Sequence, residues 1–134
     1  MAAREDGRVT TQPAEEIEAI LRKHVVGHAV RALQVLGINS LKTVEPLPAA
    51  LEGHVVVDVA AQTRVLEIAF ETCAIRIDLE RTGRVKWLPT AEAWAPTDST
   101  PAPTLRLLLG NGSAVDFTEP AKTKRITAAI RARR

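Results

Sequence analysis

Hydrophobic and polar positions alternate most clearly in residues 105–120, which read LRLLLGNGSAVDFTEP. This alternation predicts a β-hairpin around the three-residue loop Gly110-Asn111-Gly112, with Gly112 free to take a positive φ. The loop sets a register in which Leu109 faces Ser113, Leu107 faces Val115, Leu105 faces Phe117 and Arg106 faces Asp116. One face is then apolar, and the other carries an opposite-charge pair. A two-residue Asn-Gly loop would put Leu107 opposite Asp116, which is less favourable.

A second hairpin is predicted over residues 65–79, with Glu71-Thr72 as its turn. The register that follows pairs Ile68 with Ile75, Leu66 with Ile77, and Glu67 with Arg76. This hairpin also has one apolar face and one charge-paired face. Cys73 falls within the apolar pattern, so we expect a buried small side chain rather than a reactive thiol.

The rest of the chain divides into a polar start, a helix, further strands and a proline-rich loop. Residues 1–12 are expected to form a disordered tail. A helix is predicted from about Pro13, with Thr11 or Gln12 as its cap and a buried stripe of Ile17, Ile20 and Leu21. Shorter strands are predicted near residues 29–36, 55–57 and 85–88. Residues 89–103 contain four prolines and are expected to be a surface loop, functional or disordered.

Residues 118–134 can form a final helix whose buried side carries Ile126, Ala129 and Ile130. The elements together predict a mainly β fold, a two-layer antiparallel β-sandwich flanked by an N-terminal and a C-terminal helix. The sandwich domain is expected over residues 13–120, followed by a basic C-terminal helix or tail over residues 121–134.

The composition of the chain limits its number of domains and its cellular compartment. A chain of 134 residues with 46% hydrophobic residues is long enough for one domain with a core. No apolar run approaches the ~20 residues of a membrane span, and the first residues lack the apolar stretch of a secretory signal. A single cysteine fits a reducing compartment, so we expect a cytoplasmic protein.

Positive charge is concentrated at the C-terminus. The whole chain has a formal net charge of +2, but six basic side chains and no acidic one follow residue 121, so residues 1–121 carry −4. A basic tail suits a phosphate-rich partner such as nucleic acid. The alternative is a solvated terminus that only keeps the protein soluble.

Four segments in order resemble the N-terminal domain of the formamidopyrimidine-DNA glycosylase and endonuclease VIII family. The first segment is EIEAI with VGHAV (residues 16–30), and the second is LEG with VAAQTR (51–64). The third is DLERTGR (78–84), which is similar to the family's HLxMTGR turn, and the fourth is NG with TEP (111–120). The likeness covers about residues 13–124. It implies a β-sandwich with two flanking helices and a surface that meets DNA.

The resemblance also implies that the chemistry of that family has been replaced. Its members attack the sugar with the amine of an N-terminal proline followed by glutamate, whereas the matching Pro13 is internal and followed by Ala14. The family's hairpin lysine falls on Arg64, which keeps the charge but not the amine chemistry. The family's histidine falls on Asp78 and its methionine on Arg81. Its paired arginines fall on Ala121 and Lys122, and its phenylalanine falls on Thr123.

Base excision needs a nucleotide flipped out of the stack and held there. We expect the family's second module, with its zinc finger, to be missing, since one cysteine cannot supply that finger. We therefore predict no catalytic residue, no metal and no cofactor, and we lean against an enzyme. His24, His28 and His54 lack metal-ligand spacing, and Trp94 is the better candidate than Trp87 for an exposed stacking residue.

The leading hypothesis is a non-catalytic domain that binds the phosphate backbone of DNA or RNA. Its candidate contacts are Arg64, Arg81, Arg84, Lys86, Lys122, Lys124 and Arg125. One alternative is a protein-interaction or structural subunit of a larger assembly, docking through Trp94 and the proline-rich loop. A second alternative is a residual lyase that uses the amine of Pro13 after cleavage behind Gln12.

Overall fold

The alternating segments form two four-stranded antiparallel sheets, as seen in a computed structural model that describes residues 12–37, 41, 48–98, 101–119 and 126–132. The helices and strands, in chain order, are α1 (Ala14–His24), β1 (Val30–Val35), a 3-10 turn (Pro48–Leu51), β2 (Asp58–Gln62), β3 (Val65–Ala69), β4 (Cys73–Asp78), β5 (Arg84–Leu88), β6 (Leu105–Leu109), β7 (Ala114–Thr118) and β8 (Thr127–Ala132). Sheet I has the strand order β1-β6-β7-β5, and sheet II has the order β2-β3-β4-β8.

Both predicted hairpins are confirmed residue by residue. In β6–β7, Leu105 pairs with Phe117, Arg106 with Asp116 and Leu107 with Val115. Its loop closes as predicted, because the Leu109 N–H donates to Ser113 O at 2.9 Å and Gly112 has a φ of +90°. In β3–β4, the pairs are Leu66 with Ile77, Glu67 with Arg76 and Ile68 with Ile75.

The apolar faces of the two hairpins meet in one core, which confirms the predicted β-sandwich. Leu107 and Phe117 of sheet I and Ile75 and Ile77 of sheet II are fully buried in it. Cys73 is buried at the same core, and its desolvation raises the pKa of the thiol. No helix in the described part of the chain is long and apolar enough to cross a membrane.

Helix α1 lies against an edge strand of each sheet, β2 of sheet II and β5 of sheet I. It begins after Pro13, which is the N-cap residue in place of the predicted Thr11 or Gln12. Two of its side chains bond the backbone of β2: Glu18 Oε1 accepts from the Ala61 N–H at 3.1 Å, and Arg22 Nη2 donates to Val59 O at 2.7 Å. The helix therefore supplies hydrogen-bond partners to a strand that has no neighbour strand on that side.

The predicted C-terminal helix is wrong for residues 127–132, which form β8 and pair antiparallel with β4. The buried residues Ile126, Ala128 and Ile130 follow the period of two that a strand requires, whereas the helical prediction used Ala129, which is only partly buried. Pairing with β4 decides the conformation of a segment whose local sequence fits either element. The other residues of the predicted tails, 1–11, 120–125 and 133–134, lie outside the described residues, while Gln12 is buried.

Residues 89–98, the first part of the proline-rich loop, cover the outer face of sheet I. The Gln34 side chain accepts from the Trp94 N–H at 2.7 Å and donates to Trp94 O at 2.8 Å. Arg106 Nη1 donates to Glu92 O at 2.8 Å. Beneath this segment, Arg106 and Asp116 form a buried two-point ion pair with distances of 2.7 and 2.9 Å.

Candidate functional site

The structure brings three of the predicted basic residues to one corner of the sandwich. Arg64 lies in the β2–β3 turn, and its side chain reaches the β4–β5 turn (residues 79–83), which carries Arg81 and is followed directly by Arg84. Lys86 lies two residues further along β5 and is exposed on the same face of the strand as Arg84. The remaining three, Lys122, Lys124 and Arg125, lie outside the described residues.

The Arg64 guanidinium is bonded to the protein backbone. Its Nε donates to Glu80 O at 2.8 Å, its Nη1 donates to Gln12 O at 2.9 Å, and its Nη2 donates to Gly83 O. All three nitrogens of the fork therefore donate inside the fold, two of them to carbonyls of the β4–β5 turn and one to the carbonyl of Gln12. The preceding Thr63 has a φ of +56°, a left-handed conformation that is rare for a β-branched residue and needs support from its surroundings.

The β4–β5 turn is held by hydrogen bonds among its own residues and their neighbours and by a bond to Glu119. The Glu80 N–H donates to Asp78 Oδ1 at 2.9 Å, and the Gly83 N–H donates to Leu79 O at 3.0 Å. A Cβ at position 83 would lie 2.5 Å from Leu79 O, so this tight turn requires glycine. Thr82 Oγ1 donates to the buried carboxylate of Glu119. These bonds hold the turn in place with Arg81 exposed upon it.

Gln12 joins the chain before α1 to the edge of sheet I. Its side-chain amide donates to Val85 O at 3.0 Å and accepts from the Val85 N–H at 2.8 Å, as a neighbouring strand would. The same amide nitrogen donates to Glu16 Oε2 at 3.1 Å. The Pro13 nitrogen follows this anchored residue in the peptide chain and is therefore an amide without a reactive lone pair.

Arg84 and Lys86 lie opposite Thr118 and Asp116 of β7, on the outer face of sheet I. Lys86 is exposed, whereas Arg84 is partly buried and engaged in a further interaction. Arg81 and Lys86 are thus the most accessible of the four described basic candidates. Asp78, which the resemblance placed at a histidine position, supports the turn through its bond to Glu80.

The aromatic candidates are used within the fold. Trp87 packs against the core and stacks on His24, with ring centroids 3.7 Å apart and planes 9° from parallel. Its Nε1 is buried and has no hydrogen-bond partner among the described residues. Trp94, predicted to be the better exposed of the two, is partly buried, and Gln34 holds its main chain. Burial and the nearby Lys23 charge lower the pKa of His24.

One groove in the described part of the chain has its charged side chains already engaged within the fold. A groove of about 520 Å³ runs between α1 and β2, and its charged lining residues include Glu18 and Arg22. Both side chains are already bonded to β2 and to each other, at 3.2 Å. Within the described ranges, no three His, Cys, Asp or Glu residues come together as ligands for a metal ion.

Sequence reasoning missed two residues that shape this corner, Gln12 and Glu119. The sequence predicts Gln12 as the end of a disordered tail or as the helix cap, and Glu119 only as part of a motif. Both are polar residues at the ends of elements, a position typical of solvent exposure. Their partners, Val85 and Thr82, are 73 and 37 residues away in the sequence. Local patterns hold no signal for contacts of that range.

Comparisons with known proteins agree with the observed fold. The family model described as formamidopyrimidine-DNA glycosylase N-terminal domain matches residues 14–126. Similar solved structures include Lactococcus lactis Fpg (MutM) with a FAPY-dG containing DNA, at 15% identity and a TM-score of 0.71, covering 89% of this chain and 43% of that one. The Fpg of the same organism with an abasic site containing DNA has 15% identity and a TM-score of 0.72, covering 90% and 42%.

The chain thus spans about two fifths of the length of these structures, and at 15% identity the likeness describes the fold. No curated protein sequence matches the chain.

Proposed function

We propose a function from one premise, that the chain belongs to the formamidopyrimidine-DNA glycosylase N-terminal domain family. The Lactococcus lactis structures that share its fold are complexes with DNA. We propose that this domain also associates with nucleic acid, as a non-catalytic module that binds the phosphate backbone. A cytoplasmic location is part of the proposal, supported by a single buried cysteine without a disulfide partner.

The observation that carries the proposal is the basic surface of the β4–β5 turn. Arg81 and Lys86 are exposed there, and Arg84 lies between them in the sequence. The turn is fixed by bonds from Arg64, Asp78 and Glu119, so its cations are presented without a large ordering cost. Contacts of this kind, to phosphate and not to base edges, give binding that depends on salt and not on sequence. Lys122, Lys124 and Arg125 are proposed to extend the same surface.

The non-catalytic part of the proposal is supported by Gln12 and Arg64. A family-type nucleophile would require Pro13 as a free N-terminal amine. Removing the chain through Gln12 would break three side-chain hydrogen bonds and the one from Arg64. Arg64, at the position of the family's lysine, carries a delocalised guanidinium in place of an amine.

Fluorescence anisotropy tests the binding. We expect labelled duplex DNA of about 20 base pairs to bind weakly at low salt, with a similar affinity for unrelated sequences. The Arg81→Gln variant should reduce the slope of log K against log salt by about 0.9, the value for one lost phosphate contact. Arg76→Gln is the matched control, because Arg76 is an exposed arginine on the other sheet and its loss changes the net charge equally. No affinity at low salt, or equal effects of the two variants, would contradict the proposal.

Borohydride trapping tests the absence of lyase chemistry. The full chain incubated with DNA that contains an abasic site should give no covalent adduct, and its intact mass should show that the N-terminus still precedes Pro13. An adduct on a chain that begins at Pro13 would restore the lyase hypothesis.

The second candidate is a protein-interaction subunit, which two exposed apolar side chains favour. Val55 and Val57 are 46% and 49% exposed, and they lie just before the start of β2 in the chain. The segment around Trp94, by contrast, is bonded to sheet I through Gln34. Co-purification of one stoichiometric protein, lost in a Val55→Ser/Val57→Ser variant and unaffected by nuclease, would favour this candidate.

A further inference from the structure

We infer that Arg64 is a positioning residue: it fixes the β4–β5 turn that presents Arg81 to phosphate and does not contact phosphate itself. The inference rests on the proposed function and assigns Arg64 a different role from the other basic candidates. It also makes Gln12, in the segment before α1, part of the same assembly.

The bonds of Arg64 enclose the turn from start to end. Its Nε and Nη2 donate to Glu80 O and Gly83 O, on the two sides of Arg81. A planar fork with several donors can reach two carbonyls at once, whereas a lysine ammonium is a compact charge on a flexible stem. Glu80 in this turn has a φ of +56°, a left-handed conformation that an unsupported chain seldom adopts.

Gln12 connects the same guanidinium to the strand that follows the turn. The Gln12 carbonyl accepts from Arg64 Nη1 at 2.9 Å, and the Gln12 side chain bonds both backbone groups of Val85. Arg64 is thereby fixed to the turn directly and to β5 through Gln12. A movement of the turn away from Arg64 or Gln12 would therefore break several of these bonds.

The same geometry makes Arg64 a poor phosphate ligand, because three of its five N–H groups are already used inside the fold. Each of its three nitrogens already donates to a carbonyl, and the side chain is half-buried. Turning the fork outward to an anion would leave those carbonyls without their partner, a cost that an exposed arginine such as Arg81 does not bear.

Arg64→Lys and Arg64→Gln separate positioning from direct contact. We expect both variants to bind duplex DNA about tenfold more weakly than the wild type, at a temperature where circular dichroism shows both folded. A residue that contacts phosphate directly would instead tolerate lysine, because the charge is kept. Wild-type affinity in Arg64→Lys would overturn the inference.

A double-mutant cycle tests whether Arg64 acts through Arg81. In the Arg81→Gln background, Arg64→Lys should weaken binding by less than about twofold, because the contact it positions is already gone. Additive losses would show that Arg64 acts independently and would overturn the inference.

A measurement on the protein alone keeps this inference separate from the proposed function. If the wild type binds no nucleic acid, the proposed function fails, and amide hydrogen exchange still reports on the turn. The Glu80 and Gly83 amides, bonded to Asp78 and Leu79, should exchange at least about tenfold faster in Arg64→Lys than in the wild type or in the control Arg76→Lys. Unchanged exchange at both amides would overturn the positioning role.

Discussion

Two hairpins in this protein follow the same sequence pattern and have different environments. Each pairs apolar residues on one face and opposite charges on the other, Arg106 with Asp116 in β6–β7 and Glu67 with Arg76 in β3–β4. In the first hairpin the charged residues are 8% and 7% exposed, whereas both charged residues of the second are exposed. The cause is residues 89–98, which cross the outer face of sheet I.

The difference shows that a hairpin pattern sets the face of each residue, while another segment of the chain decides whether that face is buried. On sheet I the outward polar side chains bind the covering segment, through Gln34 and Arg106. Asp116 in turn holds Arg106, and their hydrogen bonds raise the pKa of the guanidinium. Pairs of this kind are costly to break once they are buried.

Asp116→Ala should have the largest effect on this comparison. It leaves the Arg106 charge buried without its partner, so the free energy of unfolding should fall by about 3–5 kcal/mol in urea titrations. Glu67→Ala, the matched change in the exposed hairpin, should cost about 0–1 kcal/mol. Equal losses in the two variants would show that the covering segment does not shield the pair in solution.

Gln34→Ala should have an intermediate effect, because it removes both bonds to the Trp94 main chain. We expect a loss of about 1–2 kcal/mol and faster proteolysis within residues 89–98. Gln62→Ala, at an exposed position on β2, is the control and should change neither quantity. Proteolysis at the wild-type rate would mean that other contacts hold the segment.

The smallest effect concerns His24, at the end of the helix that contacts both sheets. Its pKa is lowered in the folded protein, so near pH 6 the unfolded chain binds more protons. Stability should therefore decrease as the pH falls through about 6.5, the ordinary value. Thermal melts should show this trend, reduced in His24→Gln and retained in the control His54→Gln, an exposed histidine. A trend unchanged in His24→Gln would assign the pH dependence to other groups.

The sequence predicted what depends on near neighbours. Both hairpin registers followed from alternation and turn residues, since their partners are close along the chain. Leu108 and Ala114 break the alternation on the outward face of β6–β7, which indicates that this face is covered, and both are buried. Strand β8 was missed because Ile126 and Ile130 fit a helical stripe as well as an alternating one, and only pairing with β4 decides between them.

The candidate site was predictable in its charge and not in its bonds. Three of the basic residues, Arg64, Arg81 and Arg84, lie at one corner of the sandwich. Arg64 differs from the others because its bonding depends on carbonyls of Gln12, Glu80 and Gly83, which come together only in the folded chain. Composition and spacing show that an arginine is present, but they do not show which acceptors its N–H groups bond.

The side chains along α1 and just before it also bear on self-assembly. Gln12 bonds both backbone groups of Val85 in β5, whereas in β2 Glu18 accepts from the Ala61 N–H and Arg22 donates to Val59 O. Open strand edges of this kind would otherwise accept a strand from a second molecule and start aggregation. Eleven residues of sequence, from Gln12 to Arg22, thus engage backbone groups on one edge of each sheet, β5 of sheet I and β2 of sheet II.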